Sequence, residues 1–436
     1  MRGNHFESVM GVLGFGESHG KVSGVVLEDV KGGVIFPLEE IQRELDKRRP
    51  GKGNYASTRQ EADRIEVLSG VMDGITTGMP ICLVVYNQDQ RTVDYKNLQE
   101  IFRPGHADYS WYRKFKIWDW RGGGRASGRE TIARVAAGAV VKEMLSGIKI
   151  ESYPVQIGKV GVENISDNFP NPISWPDPGT YDDVLYELSK AQEANDSLGG
   201  IVELRILGVP AGLGDPVFGK LDAKLAGALI SIGGVKGIEF GGGFSLAGMR
   251  GSEANDQMGA GGFLSNNCGG ILGGISTGEE ILIHLAVKPT SSIESEQKTI
   301  DKDRNEHLIE IKGRHDTCIL MRILPVTTAM VRLVLADCLS YQKLQEEKKL
   351  DLNDYREALD KIDEDILLSL RRREEISRLI GKWKNRHGKA VTDGDREQKL
   401  MDVLKEKAGA WQLDAEMVND IWRIIIKQSK EIQENS

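Results

Sequence analysis

Hydrophobic and polar positions follow two different patterns along the chain, and the change falls near residue 340. Before it, short β-branched and apolar runs are separated by glycines, which is typical of strands joined by tight turns. These runs predict strands over residues 22–30, 65–68, 81–86, 201–207 and 281–287. Apolar residues at helical spacing predict helices over residues 38–49, 132–145 and 221–232. The stretch over residues 151–200 is rich in proline, aspartate and asparagine, and predicts a surface insertion.

From residue 351 onward the pattern is helical, since only four of the 51 glycines and none of the 13 prolines lie there. Apolar side chains at i, i+3 and i+4 predict one long helix that ends at about Arg386. Thr392 or Asp393 then caps a second helix, and a third begins at Leu413 and Asp414. A coiled-coil oligomerisation tail is the plain structural interpretation of this segment.

Length, charge and cysteine usage narrow the classes of function. A chain of 436 residues is expected to contain at least two domains. A net charge of −8 argues against a nucleic-acid partner, because such proteins usually carry a basic face. The four cysteines lie far apart with no CxxC pair, so we expect no metal site and no disulfide framework. With no signal-peptide pattern and no apolar run of spanning length, we expect a cytoplasmic enzyme without a membrane partner.

Two neighbouring stretches concentrate cations and glycines, namely RPGHAD at residues 103–108 and RGGGRASGRET at residues 121–131. Glycines let backbone N–H groups approach an anion, and arginines bind it through paired hydrogen bonds. A helix that begins after Gly128 would add its positive end. His106 adds a group that exchanges a proton near neutral pH, although a structural histidine in the core is an open alternative. We therefore expect an anion pocket here.

Three further turns have the same character, and each has a second interpretation. Residues 16–20 (GESHG) match the GxSxG pattern of serine hydrolases, but a strand follows them where that pattern requires a helix. Ser18 and His19 then face a ligand or belong to a structural turn. Residues 288–292 (KPTSS) form a phosphate-binding turn or an ordinary polar turn. Asp316 lies in a cationic turn, as a site carboxylate or as a structural ion-pair partner. Together these loops indicate a polyanionic ligand.

Taken in order, these stretches resemble chorismate synthase over about residues 5–342. The matching segments are GESHG at 16–20, RRPG at 48–51, RPGHAD at 103–108, RGGGRASGRET at 121–131, GGILGG at 269–274, KPTSS at 288–292 and GRHDTC at 313–318. The resemblance implies a β-α-β sandwich fold and an assembly that is usually a homotetramer. It implies a carbon–oxygen lyase as the class of enzyme. It also implies the 1,4-anti elimination of phosphate from 5-enolpyruvylshikimate 3-phosphate to give chorismate, with a requirement for reduced FMN but no net redox change.

The same resemblance implies roles for single residues. His19 and His106 would be the two acids, and Asp316 would help the flavin to accept the C6 proton. Ser18 would lie near flavin and substrate. Substrate would be bound by Arg49, Arg103 and Arg129. FMN contacts would fall on Arg125, Ala126, Ser127, Gly233, Gly234, Gly273, Lys288, Pro289, Thr290, Ser291, Ser292 and Arg314.

Two positions depart from the family pattern. Gly233 and Gly234 stand where many relatives have Asn-Ala, a change that backbone contacts to FMN can survive. Arg48 matches a position assigned to the reduced nicotinamide nucleotide or to the substrate phosphate, but its companion arginine six residues on is Asn54 here. The departure puts intrinsic nicotinamide binding in doubt, so NADPH is expected only as an external reductant.

The C-terminal helices resemble the all-helical, three-helix chorismate mutase over about residues 352–435. The resemblance implies an isomerase that converts chorismate to prephenate in a dimer that exchanges its long first helix. Lys384 and Gln433 would bind the ether oxygen, and Glu397 would act with Asp393 on the hydroxyl and its lysine partner. The polar positions that match are Arg356, Arg373, Lys384, Asp393, Arg396, Glu397, Ser429 and Gln433, of which Arg356, Arg373, Asp393, Arg396 and Ser429 would bind substrate.

We therefore predict an α+β chain with a synthase domain at 1–342, a linker at 343–351 and a mutase domain at 352–436. The expected partners are small-molecule substrates, a flavin reductase that supplies reduced FMN, and further copies of the chain as a tetramer. Two alternatives stay open. The C-terminal domain binds ligand or mediates assembly without turnover, or the N-terminal domain is a general flavin oxidoreductase with a net redox product.

Overall fold

The structure, a computed structural model, describes residues 5–6, 10–49, 62–87, 98–166, 169–311, 315–346 and 352–435. The chain divides into two compact units, Met1–Lys343 and Leu344–Ser436. Strands and helices make up the first unit, whereas the described residues of the second are helical. The predicted α+β chain with an all-helical C-terminal domain is confirmed.

The first unit contains many short strands in chain order. They are β1 His5–Phe6, β2 Val12–Gly16, β3 Val22–Leu27, β4 Ile65–Ser69, β5 Val71–Met72, β6 Ile75–Thr76, β7 Ile81–Tyr86, β8 Lys149–Ile157, β9 Val160–Gly161, β10 Gly200–Leu207, β11 Val235–Phe240, β12 Met258–Gly259, β13 Gly262–Phe263, β14 Ile271–Leu272, β15 Ile275–Ser276, β16 Ile281–Val287, β17 Gln297–Ile300 and β18 Glu306–Ile309. Its helices are α1 Leu38–Arg48, α2 Asp108–Phe115, α3 Thr131–Val140, α4 Tyr181–Glu193, α5 Leu221–Ile230, α6 Gly251–Ala254 and α7 Leu320–Glu346.

Two five-stranded antiparallel sheets enclose a layer of helices. One has the strand order β1-β2-β3-β7-β4 and the other β11-β16-β10-β8-β9. Helix α3 packs on β2, β3 and β7 of the first sheet. Helix α7 meets both α3 and the second sheet, because Gly138 packs on Ala329 and the Ser152 hydroxyl lies 3.0 Å from that of Thr327. Residues of both sheets and of these helices share one buried core. The arrangement is a β-α-β sandwich, as predicted.

Most predicted elements of the first unit are present with shifted ends. The strands expected at 65–68, 81–86, 201–207 and 281–287 are β4, β7, β10 and β16, and the one expected at 22–30 ends at Leu27. The helices expected at 38–49 and 221–232 are α1 and α5. The helix expected at 132–145 is α3, which ends at Val140 before a 3-10 turn over Lys142–Leu145.

The prediction of a surface insertion over residues 151–200 is wrong. Strand β8 lies inside the second sheet between β10 and β9, and α4 buries Val184 and Leu188. Trp175 between them is fully buried. Pro154 does not interrupt the strand, because the β8–β10 register shifts beside it and a bulge removes the need for its missing N–H. The polar composition of these residues therefore did not indicate that they form part of the second sheet and of the core.

Helix α7 was not predicted as an element, although it is the central helix of the sandwich. By length and composition alone Leu320–Gln345 is long and apolar enough to cross a membrane. In the structure, 78% of the apolar stretch of this helix is buried inside the protein. The apolar composition is therefore that of a helix covered on several sides by the two sheets and α3.

The second unit consists of α8 Leu352–Arg386, α9 Gly394–Ala410 and α10 Ala415–Glu434, close to the three helices predicted. Asp393 is the N-cap of α9 and accepts a hydrogen bond from the Arg396 N–H, while Asp414 caps α10. Helix α10 packs against both α8 and α9.

Much of the apolar surface of this unit is exposed in a single copy. Leu359, Ile366 and Leu379 along α8 are 60%, 52% and 61% exposed. Among its described residues, the apolar side chains that are buried are Ala408 and Val418. The apolar stripe along α8 is therefore largely uncovered in a single copy, and exposed apolar surface of this kind is typical of an interaction site.

The backbone contact between α3 and α7 gives a stability prediction. A Cβ on Gly138 would lie 2.6 Å from Ala329 Cα, so Gly138→Ala must separate the helices and should lower the free energy of unfolding by about 1–3 kcal/mol. Gly227 in α5 has open space around its Cβ position, and Gly227→Ala should raise stability by up to about 1 kcal/mol. Urea unfolding of the full-length variants measures both. Equal effects of the two substitutions would contradict the close packing of α3 on α7.

Candidate active site

Antiparallel pairing places several candidate segments at one edge of the first sheet. The end of β2, the start of β3, the end of β7 and the start of β4 adjoin one another, since Gly16 pairs with Ser23, Val22 with Tyr86 and Ile65 with Val85. The GESHG turn connects β2 to β3 at this edge. Segments that are distant in sequence are thereby brought together.

A run of three glycines lies between the two candidate histidines. Gly122 and Gly123 have φ values of +62° and +87°, which favour glycine. A Cβ on Gly122 would lie 2.5 Å from His19 Cε1, and one on Gly123 would lie 2.6 Å from His106 Cε1. The structure therefore brings His19 and His106 against the same turn, one beside each glycine. The Ser18 N–H also donates to the Gly124 carbonyl (3.2 Å), which fixes the GESHG turn to it.

His106 is held by an ion pair within its own turn. Arg103 donates through Nε (2.7 Å) and Nη2 (2.8 Å) to the carboxylate of Asp108, and His106 Nδ1 lies 2.8 Å from Asp108 Oδ1. Burial alone would raise the pKa of Asp108, but the bonds from Arg103 and His106 hold it far below its ordinary value. With its Nδ1–H donated to this carboxylate, the imidazole keeps Nε2 for a ligand.

The surroundings of His106 favour the neutral form of its imidazole. Burial lowers its pKa, and the positive charges of Arg103 and Lys288 act in the same direction against the effect of Asp108. Burial and the charge of Arg103 likewise lower the pKa of His315, against the opposite effect of Glu294 and Asp316. For both histidines burial is the main cause. From the sequence, His315 was considered only as a cationic neighbour of Asp316.

Two buried arginines share one carboxylate. Asp63 forms an ion pair with Arg48 and another with Arg129, whose Nη2 lies 3.0 Å from Asp63 Oδ1. All three side chains are almost completely buried. Burial lowers the pKa of Arg48 to about 10, which still leaves it charged at neutral pH. Two guanidiniums that share one carboxylate away from water favour an anionic ligand.

Asp316 belongs to the same cationic region. Its carboxylate accepts a hydrogen bond from Arg322 Nη1 at 2.5 Å, and the charge of Arg322 contributes to the lowered pKa of Arg48. The sequence suggested Arg314 and His315 as its ion-pair neighbours, but Arg314 lies outside the described residues, as do Asn54 and residues 50–51 of the RRPG segment. Arg322 was missed because it lies within the apolar stretch of α7.

Arg49 differs from its neighbour Arg48. It lies just after α1 with its side chain 41% exposed, 3.4 Å from Asp46 on the helix surface. The structure therefore places Arg49 outside the buried arginine pair, although the two are adjacent in sequence.

The KPTSS turn contacts the RPGHAD turn. Lys288 Nζ donates to the Gly105 carbonyl and to Ser291 Oγ, both at 2.6 Å, and the Ser291 hydroxyl donates to the same carbonyl at 2.8 Å. Burial lowers the pKa of Lys288, and the charge of Lys236 adds to this effect. Within the described residues, the buried Thr290 hydroxyl has no hydrogen-bond partner. A desolvated lysine beside an unpaired hydroxyl suits a phosphate group.

The remaining residues expected to contact FMN lie in several separate turns. Gly234 accepts a hydrogen bond from the Lys288 N–H (2.9 Å), and Gly233 precedes it. Ala126 ends a 3-10 turn that Arg125 belongs to, and the Ser127 side chain caps the next one. Pro289 and Ser292 flank the hydroxyls of the KPTSS turn. Gly273 lies in the turn between β14 and β15, and within the described residues no contact joins it to the histidines.

In the second unit, α8 and α10 bring part of the predicted set together. Arg373 Nη1 contacts Ser429 Oγ, and burial lowers the pKa of Arg373. Gln433 lies one turn beyond Ser429, and its buried side-chain oxygen has no hydrogen-bond partner in the part of the chain that the structure describes. An unpaired buried amide oxygen beside a desolvated guanidinium indicates a polar site that a ligand completes.

The other predicted residues of this unit make contacts of their own. Lys384 Nζ donates to the Val391 carbonyl (2.6 Å), and Glu397 pairs with Lys430 (2.8 Å), a residue that the sequence did not single out. Asp393 and Arg396 meet at the α9 cap. Arg356 lies 17 residues before Arg373 on α8, about 25 Å along the helix axis, so one copy does not bring the two together.

No metal site accompanies these groups in the part of the chain that the structure describes, where no cluster of three or more His, Cys, Asp or Glu is arranged to hold an ion.

Comparison with known proteins gives two family matches. Residues 10–340 match the family model described as chorismate synthase, and residues 355–434 match the model described as chorismate mutase type II. The chorismate synthase of Syntrophus aciditrophicus (strain SB) is 49% identical over 350 residues, which cover 79% of this chain and 99% of that protein. The chorismate synthase of Methanocella arvoryzae is 48% identical over 350 residues, with 77% and 94% covered. A crystal structure of chorismate synthase superposes with a TM-score of 0.60 at 32% identity, over 77% of this chain and 93% of that chain.

The lowered pKa values of His106 and His315 predict a loss of stability in weak acid. Below the unfolded-state pKa of about 6.5 the unfolded chain binds protons that the folded site resists, so the free energy of unfolding should fall by up to about 1.4 kcal/mol per pH unit for each histidine. Above that pKa the histidines are neutral in both the folded and the unfolded chain, so the free energy of unfolding keeps its full value. Urea unfolding between pH 5.5 and 7.5 should show a smaller fall for His106→Gln than for the parent. His387→Gln, at an exposed position outside this site, is the control, and identical slopes for all three proteins would contradict the assignment.

Proposed function

The chain belongs to the chorismate synthase family and carries a chorismate mutase type II domain, and we propose that it performs both reactions in sequence. The first unit eliminates phosphate from 5-enolpyruvylshikimate 3-phosphate, with reduced FMN, to give chorismate. The second rearranges chorismate to prephenate. We propose domain limits of 1–342 and 352–436 with a linker over 343–351, and a cytoplasmic location. Residues 347–351 of that linker lie outside the described residues.

The single observation that supports the first activity best is the placement of His19 and His106 against one glycine turn, beside a region rich in arginine. The substrate carries two carboxylates and a phosphate, which would suit a pocket near Arg48 and Arg129, since these two arginines share the carboxylate of Asp63. Arg103 differs, because it pairs with Asp108 and orients His106. The arginines would therefore select a polyanion and hold it with its leaving phosphate near the histidines.

His106 suits a role at the leaving group. As the phosphate approaches Nε2, its negative charge raises the pKa of the imidazole and converts it to a donor. The Nδ1 contact with Asp108 fixes the orientation in which this donation takes place. His19, whose Nδ1 lies 3.1 Å from the Ser18 hydroxyl, faces the same turn from the other side and would hold a second proton. The C–O bond to phosphate breaks, a C6 proton is lost and a double bond forms, without net redox change.

The KPTSS turn fits the phosphate of FMN, since it combines a desolvated Lys288 with the unpaired Thr290 hydroxyl. Arg125 and Ser127 would contribute from the neighbouring turn. Reduced FMN bound there would supply electron density for the elimination. Asp316, held by Arg322, would keep a carboxylate beside the position from which the C6 proton is lost. A flavin reductase would supply the reduced cofactor, with NADPH as its external electron source.

The second unit suits a reaction that needs only binding and charge. Arg373 would hold one chorismate carboxylate, and Lys384 and Gln433 would hydrogen-bond the ether oxygen as charge develops on it. Arg396 and Ser429 would bind substrate, while Glu397 and Asp393 would act on the hydroxyl. Arg356 would come from a second copy, because the exposed stripe of α8 favours pairing with another chain. We propose a homo-oligomer, with a tetramer as the assembly expected of the first unit.

A time course with full-length protein tests the proposal. Under anaerobic conditions with chemically reduced FMN and enolpyruvylshikimate phosphate, phosphate should be released while chorismate appears transiently and prephenate accumulates. His106→Ala should lower the rate of phosphate release roughly 10²-fold or more. No phosphate from the parent would overturn the proposal. A product formed in proportion to flavin oxidised would support a flavin oxidoreductase instead.

Substitution in the second unit separates the two activities. Lys384→Ala should lower prephenate formation roughly 10²-fold or more, because the donor to the ether oxygen is lost, while phosphate release stays within about twofold of the parent. Lys382, two residues earlier and exposed on α8, provides the matched control Lys382→Ala, which should leave both rates unchanged. If chorismate persists with the parent protein as well, the second unit binds ligand or mediates assembly without turnover.

A further inference from the structure

A single side chain connects the histidine turn to the buried arginines. Asn87 follows the end of β7, and its Nδ2 donates to the carbonyls of Glu17 (3.0 Å) and Gly20 (2.8 Å). These two carbonyls are at the ends of the turn whose inner residues are Ser18 and His19. The Asn87 backbone N–H also donates to the Lys21 carbonyl (3.1 Å). One amide group therefore closes the loop that carries His19.

The oxygen of the same amide contacts Arg129, which we propose binds an anion. Asn87 Oδ1 accepts a hydrogen bond from Arg129 Nε. Arg129 in turn reaches Asp63, and Asp63 pairs with Arg48. A continuous set of hydrogen bonds and ion pairs thus runs from the His19 turn through Asn87 to two guanidiniums, and it joins five segments that are separated in sequence.

We propose that Asn87 is a positioning residue, which fixes the distance between His19 and the anion held by Arg129. The inference rests on the proposed synthase reaction, in which proton transfer and phosphate binding take place in one pocket. Asn87 does not touch the reacting atoms and acts through these two groups. A displacement of about 1 Å between a proton donor and a bound substrate is enough to cost a factor of about 10² in rate.

Only a neutral amide satisfies both sides at this position. Two donors are needed for the Glu17 and Gly20 carbonyls, and one acceptor is needed for Arg129. A carboxylate would keep the acceptor but remove both donors and place its charge against two carbonyl oxygens. An aliphatic side chain would remove all three bonds. Asparagine and aspartate have the same size, so their exchange isolates the donors.

Asn87→Asp tests the proposal in the full-length protein. With the Arg129 bond kept and the turn released, kcat for phosphate release should fall roughly tenfold or more, while KM for enolpyruvylshikimate phosphate rises less than about threefold. Asn87→Ala, which also releases Arg129, should raise KM as well as lower kcat. If Asn87→Asp does not give folded protein, Asn87→Ser retains one donor and one acceptor and should show a smaller fall in kcat with the same split.

A matched control separates positioning from a merely structural role. Asn171 closes a different turn in the same way, with Nδ2 donating to the carbonyls of Phe169 (2.8 Å) and Trp175 (2.7 Å). Asn171→Asp should lower Tm without a change in kcat. If Asn87→Asp likewise lowers only Tm, Asn87 is a structural residue and the proposal is overturned.

The second readout is a double-mutant cycle with His19→Ala. If Asn87 acts through His19, Asn87→Asp should reduce kcat by less than about twofold in the His19→Ala background. Full additivity of the two substitutions would overturn the proposal while leaving the synthase activity of the parent established. Absence of phosphate release from the parent is a different result, since it removes the proposed function and with it the basis for positioning by Asn87.

Discussion

Positive charge that is removed from water is the constraint on which the first unit depends. Arg48 and Arg129 are buried around the shared carboxylate of Asp63, and taking charges out of water costs several kcal/mol for each ion. Asp63 offsets part of this cost. An anionic ligand would offset more of it, so affinity for a polyanion would follow from the packing. The same reasoning applies to Lys288 beside Lys236.

The β-α-β layers make this arrangement possible because they fix where the chain ends each element. Arg48 ends α1, Asp63 precedes β4, Asn87 follows β7, and the GESHG turn joins β2 to β3. Antiparallel pairing puts these ends on one edge of the first sheet. Glycine then allows the close approach, since a side chain at Gly122 or Gly123 would occupy the space of an imidazole. The layers of sheet and helix thus set the distances between these segments. The glycine turns leave room for the two imidazoles.

The second unit depends on a different constraint, namely apolar surface that a single copy does not cover. Helix α8 carries both the exposed stripe and two arginines that lie about 25 Å apart along its axis. A pocket that uses both arginines for one small substrate must therefore take them from two copies of the helix. Pairing of the helices and completion of the pocket become the same event. In the first unit, by contrast, the groups around the histidines come from one chain.

The sequence by itself determined the class of both units and much of their chemistry, because these depend on local patterns. Helical periodicity and the caps Asp393 and Asp414 define the C-terminal helices, and runs of glycine with arginine indicate an anion pocket wherever the chain folds. Tertiary structure decided what periodicity does not encode. Residues 151–200 appeared polar enough for an insertion, yet β8 belongs to the second sheet, since burial depends on neighbours from elsewhere in the chain. Asp63, Asn87 and Arg322 carry no local signal, and became recognisable only when strand pairing and helix packing placed them beside His19, Arg48 and Arg129. Arg48 and Arg49 are adjacent in sequence, but α1 ends at Arg48 and the backbone of Arg49 is extended, so one side chain is buried and the other faces water.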